Sequence, residues 1–195
     1  MIAPPLFATI TVIAGLVRPG YDPVRQTISA LAVGPNGWLQ TAGFVLLGML
    51  SLLFAFGLAR ALGDRRSAGV TGVLTGLLGG LALLFAVFPT DAPGEADSLR
   101  GQVHNLLVVA LALYFPVAVL GVARVLWNAA DRRTMARVSA VAGVIGLALA
   151  VFYLAVPSAV SRSWKGLYER VWVGVQLVWL EVMALQLWIT GRRGT

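Results

Sequence analysis

Long apolar stretches alternate with short polar ones along this chain, and the apolar stretches run Ile2 to Val17, Gly37 to Leu62, Ser67 to Phe88, Val103 to Trp127, Ala136 to Val156 and Leu167 to Ile189. A helix needs about 20 mostly apolar residues to cross a hydrocarbon core roughly 30 Å thick, at about 1.5 Å per residue. Five of the stretches reach that length. The first rises only about 24 Å and opens on Pro4 and Pro5, which makes it the weakest of the set. It has neither the basic start nor the small-residue cleavage pattern of a secretory signal, so it reads as a retained span. No stretch alternates polar and apolar residues at period two, which disfavours a lipid-facing barrel. The pattern predicts an all-α, polytopic membrane protein: a six-transmembrane-helix bundle forming one domain over residues 1–195.

The polar connections carry the orientation. Arg60, Arg65, Arg66, Arg124, Arg132, Arg133, Arg137, Arg192 and Arg193 fall on one side of such a bundle, and Arg18, Arg25, Arg100, Arg162, Lys165 and Arg170 on the other. Short loops rich in lysine and arginine stay in the cytoplasm, so both termini are expected there. Asp22, Asp91, Glu95, Asp97 and Glu169 fall on the less basic, outer side.

Composition sharpens the class. Apolar residues make up 58% of the chain and charged ones 12%, whereas a soluble domain has roughly 45 to 50% and about 25%. The net charge of +7 would suggest nucleic acid in a soluble protein, but here the basic residues sit between spans as topology signals. Membrane lipids are the expected partners, and nucleic acid is not. With no cysteine, disulfides, thiolate metal sites and thiol nucleophiles are excluded. The single histidine rules out a bis-histidine haem and leaves zinc short of ligands, so no metal or cofactor is expected.

Small residues mark helix contacts, because backbones in lipid associate by close packing. Gly72, Gly76 and Gly80 line one stripe of the third stretch, and Ala136, Ser139, Ala140 and Gly143 a ridge of the fifth. Either helix is a candidate neighbour of the other. Packing within the chain is favoured over a weak homo-oligomer seam.

The outer rim is the informative part. In the run from Arg18 to Leu31, Asp22 followed by Pro23 has the form of a helix cap, and Val24, Ile28 and Leu31 fall opposite Arg25, Gln26 and Ser29. This predicts a short amphipathic helix over about 23–33, lying on the outer leaflet or folding inward as a lid. It ends at Gly34-Pro35, with Asn36 expected to cap the second span and Trp38 at interface depth. A second polar cluster runs from Phe88 through Thr90, Asp91, Pro93 and Glu95 to Asp97, Ser98 and Arg100, with His104 and Asn105 heading the fourth span. Asp97, Arg100, Gly101 and His104 share a face if the helix starts near Asp97.

At these residues the chain resembles the domain of unknown function 998 family (DUF998), multi-pass membrane proteins of bacteria and archaea. The resemblance rests on RPGYDPVRQTISALAVGPNGWLQTAGF at Arg18 to Phe44, on FPTD at Phe88 to Asp91, and on a histidine at the start of the next helix, His104. It implies six spans and a bacterial or archaeal cell (inner) membrane, and supplies no activity. Gln26-Thr27 stand where many members carry His-Pro, so a catalytic role for that histidine does not transfer.

Three functional readings follow. The favoured one is a module binding a lipid or another amphiphile at an outer-rim polar pocket, with Arg18, Tyr21, Arg25, Arg100, Asn105 and Glu181 as ligand-binding candidates. The bland counterpart is that the arginines pair with Asp22, Asp91 and Asp97 to pin the loops. The second is an intramembrane hydrolase or transferase using His104 with Asp91 or Asp22 and Ser29, the residue types of acyl transfer, although no nucleophile elbow surrounds Ser29 or Ser98. The third is a structural or accessory subunit. Glu181 stands out because a carboxylate well inside the sixth span is costly unless protonated, paired or wet. Pro116 and Pro157 alone suggest broken spans, and no inverted repeat is evident.

Overall fold

The computed structural model describes residues 2–62, 64–92, 94, 96–128, 132–156 and 162–192. Pro93, Glu95, Pro157 and Arg193 lie outside them. Among the described residues the regular structure is helical: α1 (Ala3–Leu16), α2 (Gly37–Ala61), α3 (Arg65–Val87), α4 (Leu99–Leu126), α5 (Arg133–Ala155) and α6 (Lys165–Arg192). The last five are long and apolar enough to cross a bilayer, so this is a polytopic membrane helix bundle. At 14 residues α1 rises about 21 Å, short of a full span.

Helices begin up to a turn before the apolar runs because polar caps and arginines belong to the helix without being greasy. Asp64 starts α3 by accepting from the Ser67 amide at 2.8 Å. Ser98 starts α4 by accepting from the Gly101 amide at 3.1 Å, so Asp97 stays outside the helix it was expected to open. Pro116 does not break α4, which runs unbroken from Leu99 to Leu126 and buries the proline.

Neighbours in sequence pack as neighbours in space from α1 to α6, and α6 returns to touch α1 and α2. Two glycines of the α3 stripe lie on α2, Gly72 facing Ala59 and Gly76 facing Ala55 and Leu52, and the closest approach is at Gly79, outside the stripe, where a Cβ would stand 2.9 Å from the Gly48 carbonyl oxygen. Gly80, expected in that stripe, faces open space. The ridge of α5 is taken by α4, with Leu120 and Val119 over Gly143. The two small-residue helices therefore pair with their own chain neighbours and not with each other.

The surface is apolar, unlike that of a soluble protein, and the interior is mainly apolar too, with a few polar side chains such as Gln40, Thr71 and Ser139 buried in it. Leu53, Phe56, Val73, Val117, Val144 and Val178 point outward. Inside, hydroxyls and an indole N–H bridge helices, each such bond contributing about 0.6 kcal/mol in a membrane. Trp179 donates to Ser139 Oγ at 3.0 Å, Tyr114 to the Leu74 carbonyl at 3.1 Å, and Tyr168 to the Leu149 carbonyl at 2.6 Å.

Between α1 and α2 the chain does not form a continuous amphipathic helix over 23–33. It makes turns and one 3-10 turn, Ser29–Ala32, folded inward with Ile28, Ser29 and Leu31 buried. Asp22, expected to cap that helix, closes a turn instead, its carboxylate accepting from the Val24 amide at 2.8 Å. Asn36 does not cap α2 with its side chain; it sits in the left-handed region at φ 61° and turns the chain. Gly37 follows because a Cβ there would stand 2.6 Å from the Ala32 carbonyl oxygen.

Candidate functional site

The inward loop is fastened to the first turns of α6. Gly166 gives the loop room to approach, since any Cβ there would collide with the Gln26 carbonyl oxygen. The Leu167 amide donates to the Val24 carbonyl at 3.0 Å. Arg170 donates to the carbonyls of Pro23 at 2.6 Å and Gln26 at 3.0 Å and to the Tyr21 hydroxyl at 2.6 Å. The Glu169 carboxylate accepts from the Ile28 amide and, at 3.0 Å, from the Ser29 hydroxyl.

Beneath this loop lie two cavities. One, of about 120 Å³, sits inside the bundle and is walled mainly by Phe44, Leu78, Phe85, Phe115, Trp172 and Leu177. The other, of about 160 Å³, is lined at the loop end by Thr27, Thr90, His104, Asn105, Tyr153 and Lys165. Ser29, Val108, Glu169 and Trp172 line both, so the apolar and polar cavities adjoin along one wall.

His104 is held on that boundary. Its Nδ1 lies 2.8 Å from the Phe88 carbonyl oxygen, which requires the proton on Nδ1, and its ring meets the edge of Phe85 at 5.2 Å. Phe85 continues through Phe44 to Phe7 at centroid spacings of 5.9 and 5.5 Å, an aromatic row across four helices. The segment before α4 is anchored by Asp91, which accepts from the Ser98 amide at 3.0 Å and from its hydroxyl. Gly101 leaves space for that carboxylate over the start of α4, where the helix dipole also favours a negative charge.

The Ser98 hydrogen bonds hold the Asp91 carboxyl below its ordinary range, with Arg100 and His104 adding a smaller pull. A depressed carboxylate stabilises the fold above its unfolded pKa, and that contribution disappears as pH falls through the folded value. The wild-type melting temperature is therefore expected to drop more steeply below about pH 4 than that of Asp91→Asn. Parallel acid dependence in the two proteins would remove this role.

The rim residues separate into two groups. His104, Ser29 and Asn105 line the polar cavity, with Asn105 at its exposed mouth. Arg18, Tyr21, Arg25, Arg100, Asp22 and Asp91 line neither cavity. Arg18 instead donates to the carbonyls of Ala30 and Val33, and Tyr21 to that of Thr27 at 2.8 Å. Burial pushes the Tyr21 phenol above its ordinary pKa, partly opposed by Arg170. Arg25 is exposed in an ion pair with Asp22 at 3.6 Å, and Arg100 is exposed. The serine, imidazole and carboxylate of the acyl-transfer reading make no relay: Ser29 bonds Glu169, Ser98 bonds Asp91, and Nδ1 of His104 bonds a carbonyl.

Glu181 is half-buried, lines neither cavity, and leaves Oε2 buried without a partner. Gln40 is wholly buried with both amide atoms unpaired, and Gln176 presents an unpaired amide nitrogen in the wall of the inner cavity.

The residue missed from the sequence is Glu169. Its spacing held the signal, because Glu169, Trp172, Gln176 and Trp179 recur three or four apart and so share one face of α6. All four line the inner cavity.

The chain belongs to the DUF998 family: the family model described as a protein of unknown function matches residues 1–186. No curated protein and no solved structure matches it.

Proposed function

We propose that this protein binds an amphiphile of the membrane, with the apolar part in the inner cavity and the polar head in the cavity of His104 and Lys165. The observation that carries this reading is the lining common to the two cavities, Ser29, Val108, Glu169 and Trp172, which sets a strongly apolar space against a more polar one, so that one amphiphile reaching between these side chains occupies both. Ligand sites of this kind are concave, mostly apolar and supplied with a few placed polar groups. The membrane is that of a bacterial or archaeal cell, and the excess of arginine beside α2–α3, α4–α5 and the carboxyl terminus supports cytoplasmic termini. The loop that covers the site then faces outward, held over it by its contacts with Arg170, Glu169 and Gly166.

Native mass spectrometry of protein taken up in mild detergent tests the reading. Wild type is expected to retain a bound amphiphile. Ala82→Leu fills the inner cavity from the α3 side and is expected to cut the retained fraction about tenfold while leaving melting unchanged or raised. A wild-type protein that emerges empty, or equal retention by the variant, sinks the proposal.

A further inference from the structure

Resting on that reading, we infer that the ligand is a compact amphiphile with a hydroxyl head, an alcohol or a phenol, whose O–H donates to Nε2 of His104. The tautomer supplies the first step. With Nδ1 committed to donating to the Phe88 carbonyl, the neutral ring keeps its lone pair on Nε2. Nε2 has no hydrogen-bond partner among the described residues, and His104, itself only 3% exposed, lines the polar cavity. The site thus presents an acceptor fixed in place by its opposite nitrogen and by Phe85.

The surrounding groups favour a hydroxyl over an anion. Lys165 is the sole cationic side chain in the polar cavity lining, and it is exposed at the rim. The arginines that would grip a phosphate are elsewhere: Arg18 and Arg170 are occupied by loop carbonyls, and Arg25 and Arg100 line neither cavity. Glu169 lines both cavities, and its two oxygens, already accepting from Ile28 and Ser29, offer an anion no donor. A neutral hydroxyl brings its own donor to His104.

Size narrows the class further. An apolar cavity of about 150 Å³ takes up one benzene ring, so each of these cavities, of about 120 and about 160 Å³, houses a group of about that size. A ring with a short tail fits; a phospholipid with two acyl chains does not. The ring faces of Phe85, Phe115 and Trp172 offer flat apolar contact to such a group.

The test compares 4-butylphenol, 4-butylanisole and 4-butylphenyl phosphate, which differ only in the head. Each is titrated into protein in lipid nanodiscs and followed by tryptophan fluorescence, with protein-free nanodiscs correcting for partition. Wild type is expected to bind the phenol about tenfold more tightly than the ether, because the ether leaves Nε2 unpaired. His104→Asn keeps a side-chain N–H for the Phe88 carbonyl and takes the acceptor away from the Nε2 position, its amide oxygen ending short of where Nε2 stood. It loses the ring contact with Phe85, so it is expected to stay folded with a somewhat lower melting temperature and to bind phenol and ether alike. His104→Phe, which retains only the ring contact, is expected to melt lower.

Equal binding of phenol and ether by wild type, tightest binding of the phosphate, or a phenol preference that survives in a folded His104→Asn each overturns the hydroxyl inference while the amphiphile reading stands. Retention of a two-chain phospholipid without binding of any probe overturns the size class. Absence of both retained ligand and probe binding overturns the amphiphile reading itself.

Discussion

Gly166→Val is expected to unseat the loop between α1 and α2. The Cβ of any residue at 166 would meet the Gln26 carbonyl oxygen and stand 2.6 Å from that of Pro23, and both obstacles are backbone, which cannot rotate away. Relief requires the loop to lift from α6. Lifting breaks the bond from the Leu167 amide to Val24 and those from Arg170 to Pro23 and Gln26. Overpacking of this kind costs about 1 to 3 kcal/mol, and loss of hydrogen bonds to a charged guanidinium adds a comparable amount. The expected readout is a lower melting temperature in detergent together with faster tryptic cleavage after Arg25. That side chain is already exposed, but its neighbouring amide is tied by Gln26 N–H to the Asp22 carbonyl at 2.7 Å. A variant with wild-type melting and wild-type cleavage would show that the loop is not held from Gly166.

Removal of the Glu169 carboxylate is expected to have the other large effect. Ile28 is 4% exposed and Ser29 6%, so in Glu169→Ala the Ile28 amide and the Ser29 hydroxyl lose their acceptor where water does not readily replace it. Each orphaned group costs about 1 to 3 kcal/mol. Glu169→Gln keeps a carbonyl oxygen for Ile28 and offers an N–H to the serine oxygen, and is expected to lie within about 1 kcal/mol of wild type. Hydrogen exchange at the Ile28 amide distinguishes the variants: fast in alanine, slow in glutamine. Equal protection in both would place the loop's anchor elsewhere, with Arg170 as the remaining holder.

These two residues also show where sequence reading reached and where it stopped. The bounds of α2 to α6 lie within about one turn of the apolar runs, because the bilayer requirement is a sum over consecutive residues and the sequence displays it directly. The rim of Arg18 to Leu31, the FPTD segment and His104 were visible as polar residues in an apolar chain. Their division of labour was not. Arg18 and Arg25 look alike in a list of charges, yet one is tied to two loop carbonyls and the other is exposed beside Asp22. The amphipathic pattern over 23–33 foresaw the inward turn of Ile28 and Leu31, but Val24, placed on the same face, is exposed, Ser29, placed on the opposite one, is buried, and the predicted helix gave way to turns. Bonds to Arg170, Glu169 and the Leu167 amide satisfy the loop backbone instead, removing the need for a helical ladder there.

Length, hydropathy and the placement of arginine determined from the chain alone that this is a multi-helix membrane protein with its chemistry-bearing residues near the helix ends. Closure of the bundle decided the rest. Glu169 meets Ile28 across 141 positions only because α6 returns to α1 and α2, and the lining common to the two cavities forms at that meeting. Hydropathy is additive along neighbouring residues, whereas a cavity is made by side chains from distant segments that share nothing until the helices pack.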